Sequence, residues 1–210
     1  MKILLATNNL GKIREFEFLF NNSDFKLIHL SEFSDKDIPE TGNSYEENAF
    51  LKAKEAYRIT KLPVLADDSG LEVESIGNKP GIFSARFAGQ KSNDDKNNKK
   101  LLKELHSKSN RTAKYVSVLW FYNPKEKIEI YTYGELRGSI GKEEKGSQGF
   151  GYDPLFNLKN TKRTMAEISF KERMNISHRT QSTKKMLAEL NKLQNNWFFS
   201  FQPKQSFHTW

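Results

Sequence analysis

Short apolar runs alternate with amphipathic segments along this chain. Residues 3–6 and 63–66 are unbroken apolar runs of strand length, which favours buried strands. Residues 12–20 place apolar side chains at helical spacing, and residues 45–60 carry alanines at helical spacing. The repeated order of strand and helix predicts βα units.

The remaining pattern adds a hairpin and two more helices. Residues 25–30 read as a strand, and residues 113–122 and 127–136 as paired strands. Residues 93–105 and 182–193 are predicted to be helical. A chain that mixes βα units with a hairpin belongs to the α/β or α+β class, with a mixed central sheet.

The ends of several elements carry recognisable local signals. Ser44 and Glu47, three residues apart, match a capping box at the start of the second helix. The strand at 63–66 is predicted to end abruptly at Asp67. No repeat and no long linker interrupts the chain, so we expect one domain over residues 1–194 and a separate aromatic tail over 195–210.

Composition narrows the classes of protein. With 36% hydrophobic and 29% charged residues the chain is globular in character. It has no cysteine, which excludes disulfides and thiolate chemistry, and it lacks the ~20-residue apolar run of a membrane span. We therefore expect a soluble protein. The formal charge of +8 fits either a nucleic-acid binder or a basic protein that handles a small anion, and both interpretations stay open.

The first candidate site lies between the first strand and the first helix. Its residues are Thr7, Asn8, Asn9, Leu10, Gly11 and Lys12. A strand-to-helix junction presents free backbone N–H groups and the positive end of the helix dipole, which suits an oligophosphate. The spacing is not that of a Walker A loop. A helix cap followed by a solvated lysine is the simpler alternative.

The second candidate site is the acidic pair Asp67 and Asp68, followed by Ser69. Side chains alternate along a strand, so the two carboxylates should point to opposite sides and only one should reach a site. Glu40 would supply a second oxygen ligand for Mg²⁺, which takes one or two protein carboxylates. A turn with a capping aspartate is the structural alternative.

The third candidate site is a glycine-rich segment over residues 146–156. Glycines allow the backbone to approach a ligand closely. Phe150 or Tyr152 would stack on a base, and Asp153 would accept a hydrogen bond from the edge of that base. Downstream, His178 and Arg179 would donate to phosphate or to a purine carbonyl. Aromatic packing and a surface pair are the alternatives.

The four histidines are scattered, without zinc spacing, and no G-x-S-x-G motif accompanies His178. Metal-assisted hydrolysis is therefore the reaction class that fits these candidate residues best.

Taken in order, the segments resemble the inosine triphosphate pyrophosphatase family, also called Ham1. The matching segments are Thr7-Asn8-Asn9-Leu10-Gly11-Lys12, Glu40-Thr41-Gly42 with Glu47-Asn48-Ala49, Ala66-Asp67-Asp68-Ser69-Gly70-Leu71, Pro80-Gly81-Ile82-Phe83-Ser84-Ala85-Arg86, Gly149-Phe150-Gly151-Tyr152-Asp153-Pro154 and Ser177-His178-Arg179. They extend over roughly residues 3–193.

The resemblance implies a cytoplasmic homodimer with a mixed central sheet and a cleft between two lobes. It implies hydrolysis of ITP, dITP or XTP to the monophosphate and diphosphate, with Mg²⁺, which keeps deaminated purines out of DNA and RNA. Asp68 would accept the proton and bind the metal together with Glu40. The implied substrate contacts are Thr7, Asn8, Asn9, Leu10, Gly11, Lys12, Ser69, Phe150, Gly151, Tyr152, Asp153, Arg173, His178 and Arg179.

Two features fall outside the family pattern. Arg173 stands where the family usually has lysine, and its planar guanidinium has a different geometry. The aromatic tail lies beyond the matching segments. Two rival hypotheses remain at this point: a nucleic-acid-binding protein without catalysis, and a nucleotide-binding regulator.

Overall fold

The computed structural model describes residues 1–34 and 38–200, the last five of these for the backbone alone. The strands are β1 (Lys2–Leu5), β2 (Lys26–His29), β3 (Val64–Val73), β4 (Lys79–Pro80), β5 (Thr112–Asn123), β6 (Ile128–Ile140) and β7 (Phe156–Leu158). The α-helices are α1 (Leu10–Phe20), α2 (Tyr45–Thr60), α3 (Asp94–Glu104), α4 (Phe170–Ile176) and α5 (His178–Ser200).

The strands form one mixed sheet in the spatial order β2-β1-β3-β5-β6-β7, with β4 paired to β3. β1 pairs in parallel with β2 and β3, whereas β3, β5, β6 and β7 pair antiparallel in succession. The parallel part comes from the βα units, and the β5–β6 hairpin is the centre of the antiparallel part, so the predicted mixed sheet is confirmed.

Helices cover both faces of the sheet because the side chains of β1 alternate. Ile3 and Leu5 pack against α1 and α5, in a cluster with Phe16 and Met186. Leu4 belongs to a cluster on the other face with alanines of α2. A separate apolar core lies at the far end of the long strands, around α3 and residues 152–168. The division into two lobes that the resemblance implied stays a prediction.

The predicted end of a strand at Asp67 is wrong. β3 continues past Asp67 and is ten residues long in total, because β5 pairs with every position from Val64 to Val73. Asp67 and Asp68 therefore lie in the middle of a strand, and the alternative of a turn with a capping aspartate is excluded. Inside the sheet the carboxylates are tolerated because each finds cationic or hydroxyl partners.

The last helix was also predicted too short. It begins at His178 rather than at residue 182, because the Ser177 hydroxyl accepts a hydrogen bond from the Thr180 N–H at 3.0 Å and caps the helix. It extends to Ser200. The side chains of 196–200 and all of 201–210 lie outside the described residues, so the role of the tail stays a prediction.

Other local predictions hold with small changes. α2 spans the predicted residues, and Ser44 accepts from the Glu47 N–H at 3.1 Å. The Glu47 carboxylate accepts from Asn43 instead of closing the box on Ser44. β7 and α4 were not predicted. Among the described residues no helix combines the length and apolarity needed to cross a membrane.

Candidate active site

Two adjoining cavities lie beside the start of α1. The cavity here called base-side is also lined by the middle of β3, by residues 150–153 and by the start of α5. The cavity here called phosphate-side is lined by residues 6–9, residues 38–41, Lys52 and Arg86. The base-side cavity encloses about 230 Å³ and the phosphate-side cavity about 700 Å³. Four residues line both cavities: Asn9, Lys12, Glu40 and Ala85. The arrangement suits a ligand with an apolar, planar end and a polyanionic end.

The junction of β1 and α1 contributes to the phosphate-side cavity through Thr7, Asn8, Asn9 and Lys12. Asn9 caps α1 by accepting from the Lys12 N–H at 3.1 Å, and the Thr7 hydroxyl accepts from the Asn9 N–H at 3.2 Å. The helix cap of the simpler alternative is therefore present. The solvated lysine of that alternative is absent, because the Lys12 side chain is only 14% exposed.

The other two residues of this junction line neither cavity. Leu10 is 81% exposed at the start of α1. Gly11 lies under the ring of Phe150, where an added Cβ would come within 2.5 Å of the ring. A direct contact of Leu10 or Gly11 with substrate stays a prediction, and Gly11 has a packing reason to be glycine.

Asp67 is fully buried on the α1 and α5 side of β3. Its carboxylate contacts the Lys12 ammonium at 2.6 Å and accepts from the hydroxyls of Ser69 at 3.1 Å and Ser117 at 3.0 Å. Burial acts to raise the pKa of Asp67, but Lys12 and Arg179 hold the pKa well below its usual range. Asp67 is therefore an ionised carboxylate with its partners inside the protein.

Asp68 faces the opposite side of β3 and lines the base-side cavity. Its Oδ1 accepts from the Ser69 N–H at 3.1 Å and lies 3.5 Å from the Lys52 ammonium. No group among the described residues hydrogen-bonds to its buried Oδ2. Burial raises the pKa of Asp68 to about 6, with Lys52 opposing and Glu40 adding to the rise. The prediction that only one of the two aspartates lines the cleft agrees with this geometry.

Glu40 is held by two cations that the sequence analysis did not assign. Its Oε1 contacts the Lys52 ammonium at 2.7 Å and its Oε2 contacts the Arg86 guanidinium at 2.7 Å. Burial acts to raise the pKa of Glu40, but Lys52 and Lys12 lower it to about 2. Lys52 thus lies between Glu40 and Asp68.

A signal for Lys52 was present in the sequence. It lies three residues after Ala49 and one before Ala53, on the apolar stripe of α2, where a lysine has to find a buried anion. Arg86 closes one of the matching segments but had no assigned role. Within the described ranges no cluster of three or more histidine, aspartate and glutamate side chains forms a metal site. The assignment of Asp68 and Glu40 as metal ligands stays a prediction.

The glycine-rich segment brings Asp153 into the base-side cavity. Asp153 accepts from the Tyr115 hydroxyl at 3.1 Å and from the Phe150 N–H at 3.2 Å. Gly149 has a φ of +84°, and a Cβ there would lie 2.0 Å from the Asp153 carboxylate. Burial, with Glu15 adding and Arg173 opposing, raises the pKa of Asp153 to about 7.

The aromatic residues of this segment have different surroundings. The Phe150 ring lies over Gly11, and the Arg179 guanidinium is 5.8 Å from the ring centroid. Tyr152 is buried, and its hydroxyl donates to the Ser84 carbonyl at 2.8 Å, so it mainly fixes the wall of the cavity. Gly151 has open space where a Cβ would stand and lines the same cavity.

The start of α5 places His178 and Arg179 in the cavity wall. His178 stacks on Tyr115 at 4.8 Å, and burial with Arg179 nearby holds its pKa well below the usual value, so the imidazole is neutral. Arg179 is buried, donates to Glu15, and donates to the Ser69 hydroxyl at 2.9 Å. The alternative of a surface pair is therefore wrong.

Glu15 and Tyr115 were also missed by the sequence analysis. Glu15 follows Lys12 by three residues and so shares its helix face, which was a usable signal. Tyr115 lies within a predicted strand and offered no local signal. Its hydroxyl donates to Asp153 and its ring stacks on His178, and both partners are distant from Tyr115 in the chain.

Arg173 lies behind the glycine-rich segment and lines neither cavity. It is buried, its Nη1 is 3.9 Å from the Asp153 carboxylate, and its guanidinium lies over the Phe170 ring. Here the arginine keeps the positive charge near Asp153. A direct contact with substrate stays a prediction.

Comparison with known proteins places the chain among described relatives. The model of the Ham1 family matches residues 3–189. A protein of Exiguobacterium sp. named dITP/XTP pyrophosphatase is 41% identical over 191 residues, 90% of this chain and 97% of the relative. One of that name from Listeria monocytogenes is 42% identical over 192 residues, covering 90% and 94%. Relatives of that name from Streptococcus agalactiae are longer, and this chain covers 60% of their length.

A solved structure agrees with these matches. The Ham1 protein of Staphylococcus aureus is 38% identical with a TM-score of 0.82, and the match covers 92% of this chain and all of that one. The family model and the structural match cover the same sheet, helices and cleft. The chain belongs to the Ham1 family.

Proposed function

We propose that this protein hydrolyses dITP, XTP and ITP to the nucleoside monophosphate and diphosphate, and so keeps deaminated purines out of DNA and RNA. The observation that carries the proposal is the position of Asp68, whose Oδ2 has no hydrogen-bonding partner among the described residues. Asp68 lines the base-side cavity and lies 3.5 Å from the Lys52 ammonium, which lines the phosphate-side cavity. The names of the relatives support this choice of substrates.

The two cavities indicate how a nucleotide is held. We propose that the base lies against Phe150 in the base-side cavity and that the triphosphate extends past Lys12 into the phosphate-side cavity. The N–H groups at the start of α1 and the Lys12 ammonium attract the phosphate oxygens. The α-phosphorus then lies near Asp68.

The reaction requires one water molecule and one proton acceptor. The water oxygen bonds to the α-phosphorus, the bridging oxygen between the α- and β-phosphorus atoms leaves with diphosphate, and Asp68 takes the water proton. A carboxylate with a raised pKa is a better base than a free aspartate near neutral pH. Lys12 and Lys52 stabilise the negative charge that develops on the leaving group.

We further propose Mg²⁺ as the metal, held by Asp68 Oδ2 and by Glu40. The open Oδ2 fits a hard cation, and Mg²⁺ otherwise keeps water and substrate oxygens as ligands. When bound, the ion would neutralise phosphate charge. Chelation should abolish diphosphate release and added Mg²⁺ should restore it. Undiminished turnover in excess chelator would contradict the metal assignment.

Discrimination against adenine nucleotides is assigned to the base-side cavity. Arg179 keeps an Nε–H without a partner in the described part of the chain, a donor suited to the 6-oxo group of hypoxanthine or xanthine. The 6-amino group of adenine is itself a donor and would leave Arg179 unpaired. We therefore expect a strong preference for 6-oxo purines.

A panel of nucleotides tests the proposal. The purified protein is incubated with Mg²⁺ and dITP, XTP, ITP or dATP, and diphosphate and orthophosphate are measured separately. We expect diphosphate from the 6-oxo nucleotides and a rate lower by about 100-fold or more for dATP. Orthophosphate as the first product, or equal rates on dITP and dATP, would overturn the proposal.

The resemblance also implies a homodimer in the cytoplasm, and we propose both.

A further inference from the structure

Asp67 has no part in the chemistry proposed above, yet it contacts both ends of the cleft. A single oxygen, Oδ2, lies 2.6 Å from the Lys12 ammonium and 3.7 Å from the Arg179 guanidinium. The same oxygen accepts from the Ser69 hydroxyl at 3.1 Å. Lys12 borders the phosphate-side cavity, whereas Arg179 borders only the base-side cavity. Asp67 itself borders neither.

The orientation of this carboxylate is fixed from behind. Its other oxygen, Oδ1, accepts from the Ser117 hydroxyl at 3.0 Å, and Ser117 is 2.9 Å from the Ser182 hydroxyl of α5. Asp67, Ser117 and Ser182 are all fully buried. The carboxylate therefore joins β3, β5 and α5, and through Lys12 it also joins α1.

Lys12 needs such an anchor because other anions are within its reach. The lysine stem is flexible, and Glu40 and Asp68 border the same base-side cavity as Lys12. An ammonium released from Asp67 would pair with one of those carboxylates. It would then occupy groups that the proposed reaction needs free, and it would leave the phosphate-side cavity less positive.

We propose that Asp67 is a positioning residue that holds Lys12 and Arg179 on one carboxylate oxygen, so that a single buried side chain sets both the phosphate end and the base end of the cleft. The inference rests on the proposed function, because it assigns those ends to a nucleoside triphosphate. It predicts that one change at Asp67 weakens two kinds of recognition that separate residues perform.

The experiment measures recognition at the phosphate end and at the base end of the cleft with different probes. Tripolyphosphate, which has no base, reports on the phosphate end as a competitive inhibitor or by calorimetry. The ratio of kcat/KM for dITP to that for dATP reports on the base end. The variants are Asp67→Asn, Lys12→Met, the double variant, and Thr132→Val. Thr132 donates a buried hydrogen bond to the Ser182 carbonyl and takes no part in the ion pairs of Lys12 or Arg179, so Thr132→Val is the matched control for lost stability.

We expect Asp67→Asn to weaken tripolyphosphate binding about tenfold and to lower the dITP/dATP ratio about tenfold. Lys12→Met should weaken tripolyphosphate binding and leave the ratio within about twofold of the wild type. In the Lys12→Met background, Asp67→Asn should add no further loss of tripolyphosphate binding but should still lower the ratio. Thr132→Val should lower Tm and change neither probe.

Three results would overturn the inference. These are a lower Tm for Asp67→Asn with both probes unchanged, tighter binding of tripolyphosphate by that variant, and losses that simply add in the double variant. If Asp67→Asn does not fold because the Lys12 ammonium is left without its partner, the double variant removes both charges and still reports the ratio. Failure of the wild type to release diphosphate from dITP would overturn the proposed function instead, and tripolyphosphate binding would still test the anchoring of Lys12.

Discussion

Asp67 and Asp68 are neighbours in the chain, but their side chains leave opposite faces of β3 and meet different surroundings. Asp67 is surrounded by Lys12, Arg179 and hydroxyl groups, which keep it ionised. Asp68 has one cation at 3.5 Å and an oxygen with no hydrogen-bonding partner among the described residues. The same residue type is thus an internal anion in one position and, in the proposed reaction, a proton acceptor in the next. The local charge balance decides which, since burial acts on both.

Replacing Asp68 by asparagine separates its chemical role from any structural one. We expect kcat with dITP to fall about 100-fold or more, because the amide cannot take the proton. Tm should stay the same or rise, since the variant no longer buries a carboxylate that resists ionisation. Steady-state kinetics and thermal unfolding measure the two effects. The control is Asp95→Asn on the exposed surface of α3, which should change neither. Full activity of Asp68→Asn would remove its assigned role.

Asp153 predicts a pH dependence of stability. Its pKa is about 7 in the folded protein, raised by burial from the usual 3.8, so the folded state binds more protons between these values. Its contribution to stability is complete below about pH 4 and is lost as the pH rises to about 7. The free energy of unfolding of the wild type minus that of Asp153→Asn should therefore fall by up to about 3 kcal/mol between pH 5 and pH 8. Denaturant unfolding at each pH measures it, and a difference that rises with pH would contradict the assignment.

Among the elements, the contact between α5 and β6 sets the position of the base-side residues. Gly134 of β6 lies directly under the first turn of α5, where an added Cβ would be 2.1 Å from the His178 carbonyl oxygen and 2.6 Å from the Ser182 nitrogen. The helix can start its first turn there only because the strand has no side chain at that point. The glycine thus determines how closely His178 and Arg179 approach the cleft.

The variant Gly134→Ala tests this contact. The methyl group should push α5 away from the sheet and reduce the free energy of unfolding by about 1–3 kcal/mol. We expect the dITP/dATP selectivity to fall as well, because Arg179 moves with the helix. Unfolding and kinetics are compared with Glu129→Ala, an exposed position on the same strand. Unchanged selectivity in a destabilised Gly134→Ala protein would show that the contact serves folding alone.

At the scale of the whole molecule, the formal net charge of +8 does not reflect the balance of charges in the cleft. In the cleft, four basic side chains each form an ion pair with an acidic side chain, and they are Lys12, Lys52, Arg86 and Arg179. The excess of lysines is elsewhere, as on α3, where Lys99 is exposed. The charges in the cleft are therefore nearly balanced, and the proposed anion would be attracted to the phosphate-side cavity, which Lys12 and the start of α1 border.

The proposed homodimer is a property of the whole molecule too. Tyr131 is 59% exposed and stacks on Trp120, so the surface of the hairpin carries a large aromatic side chain in the single chain. We expect sedimentation at micromolar concentration to give about twice the mass of one 24.4 kDa chain, with no strong dependence on salt. A single species of one-chain mass would contradict the dimer.

Much of the site was readable from the sequence because it is local. The helix cap between β1 and α1 and the alternation that separates Asp67 from Asp68 depend on residues within a few positions. These features follow from backbone geometry and hydrogen bonds of short range, which a pattern encodes directly. The mixed sheet followed from the order of such elements.

Only the tertiary structure decided which charges meet. Lys52 lies between Glu40 and Asp68, and Arg179 pairs with Glu15 across 164 residues of chain. It also decided that β3 continues through the acidic pair, because pairing with β5 over its whole length outweighs the polar residues that indicated an end. Such contacts depend on how the chain returns on itself, and no local pattern of residue types specifies that return.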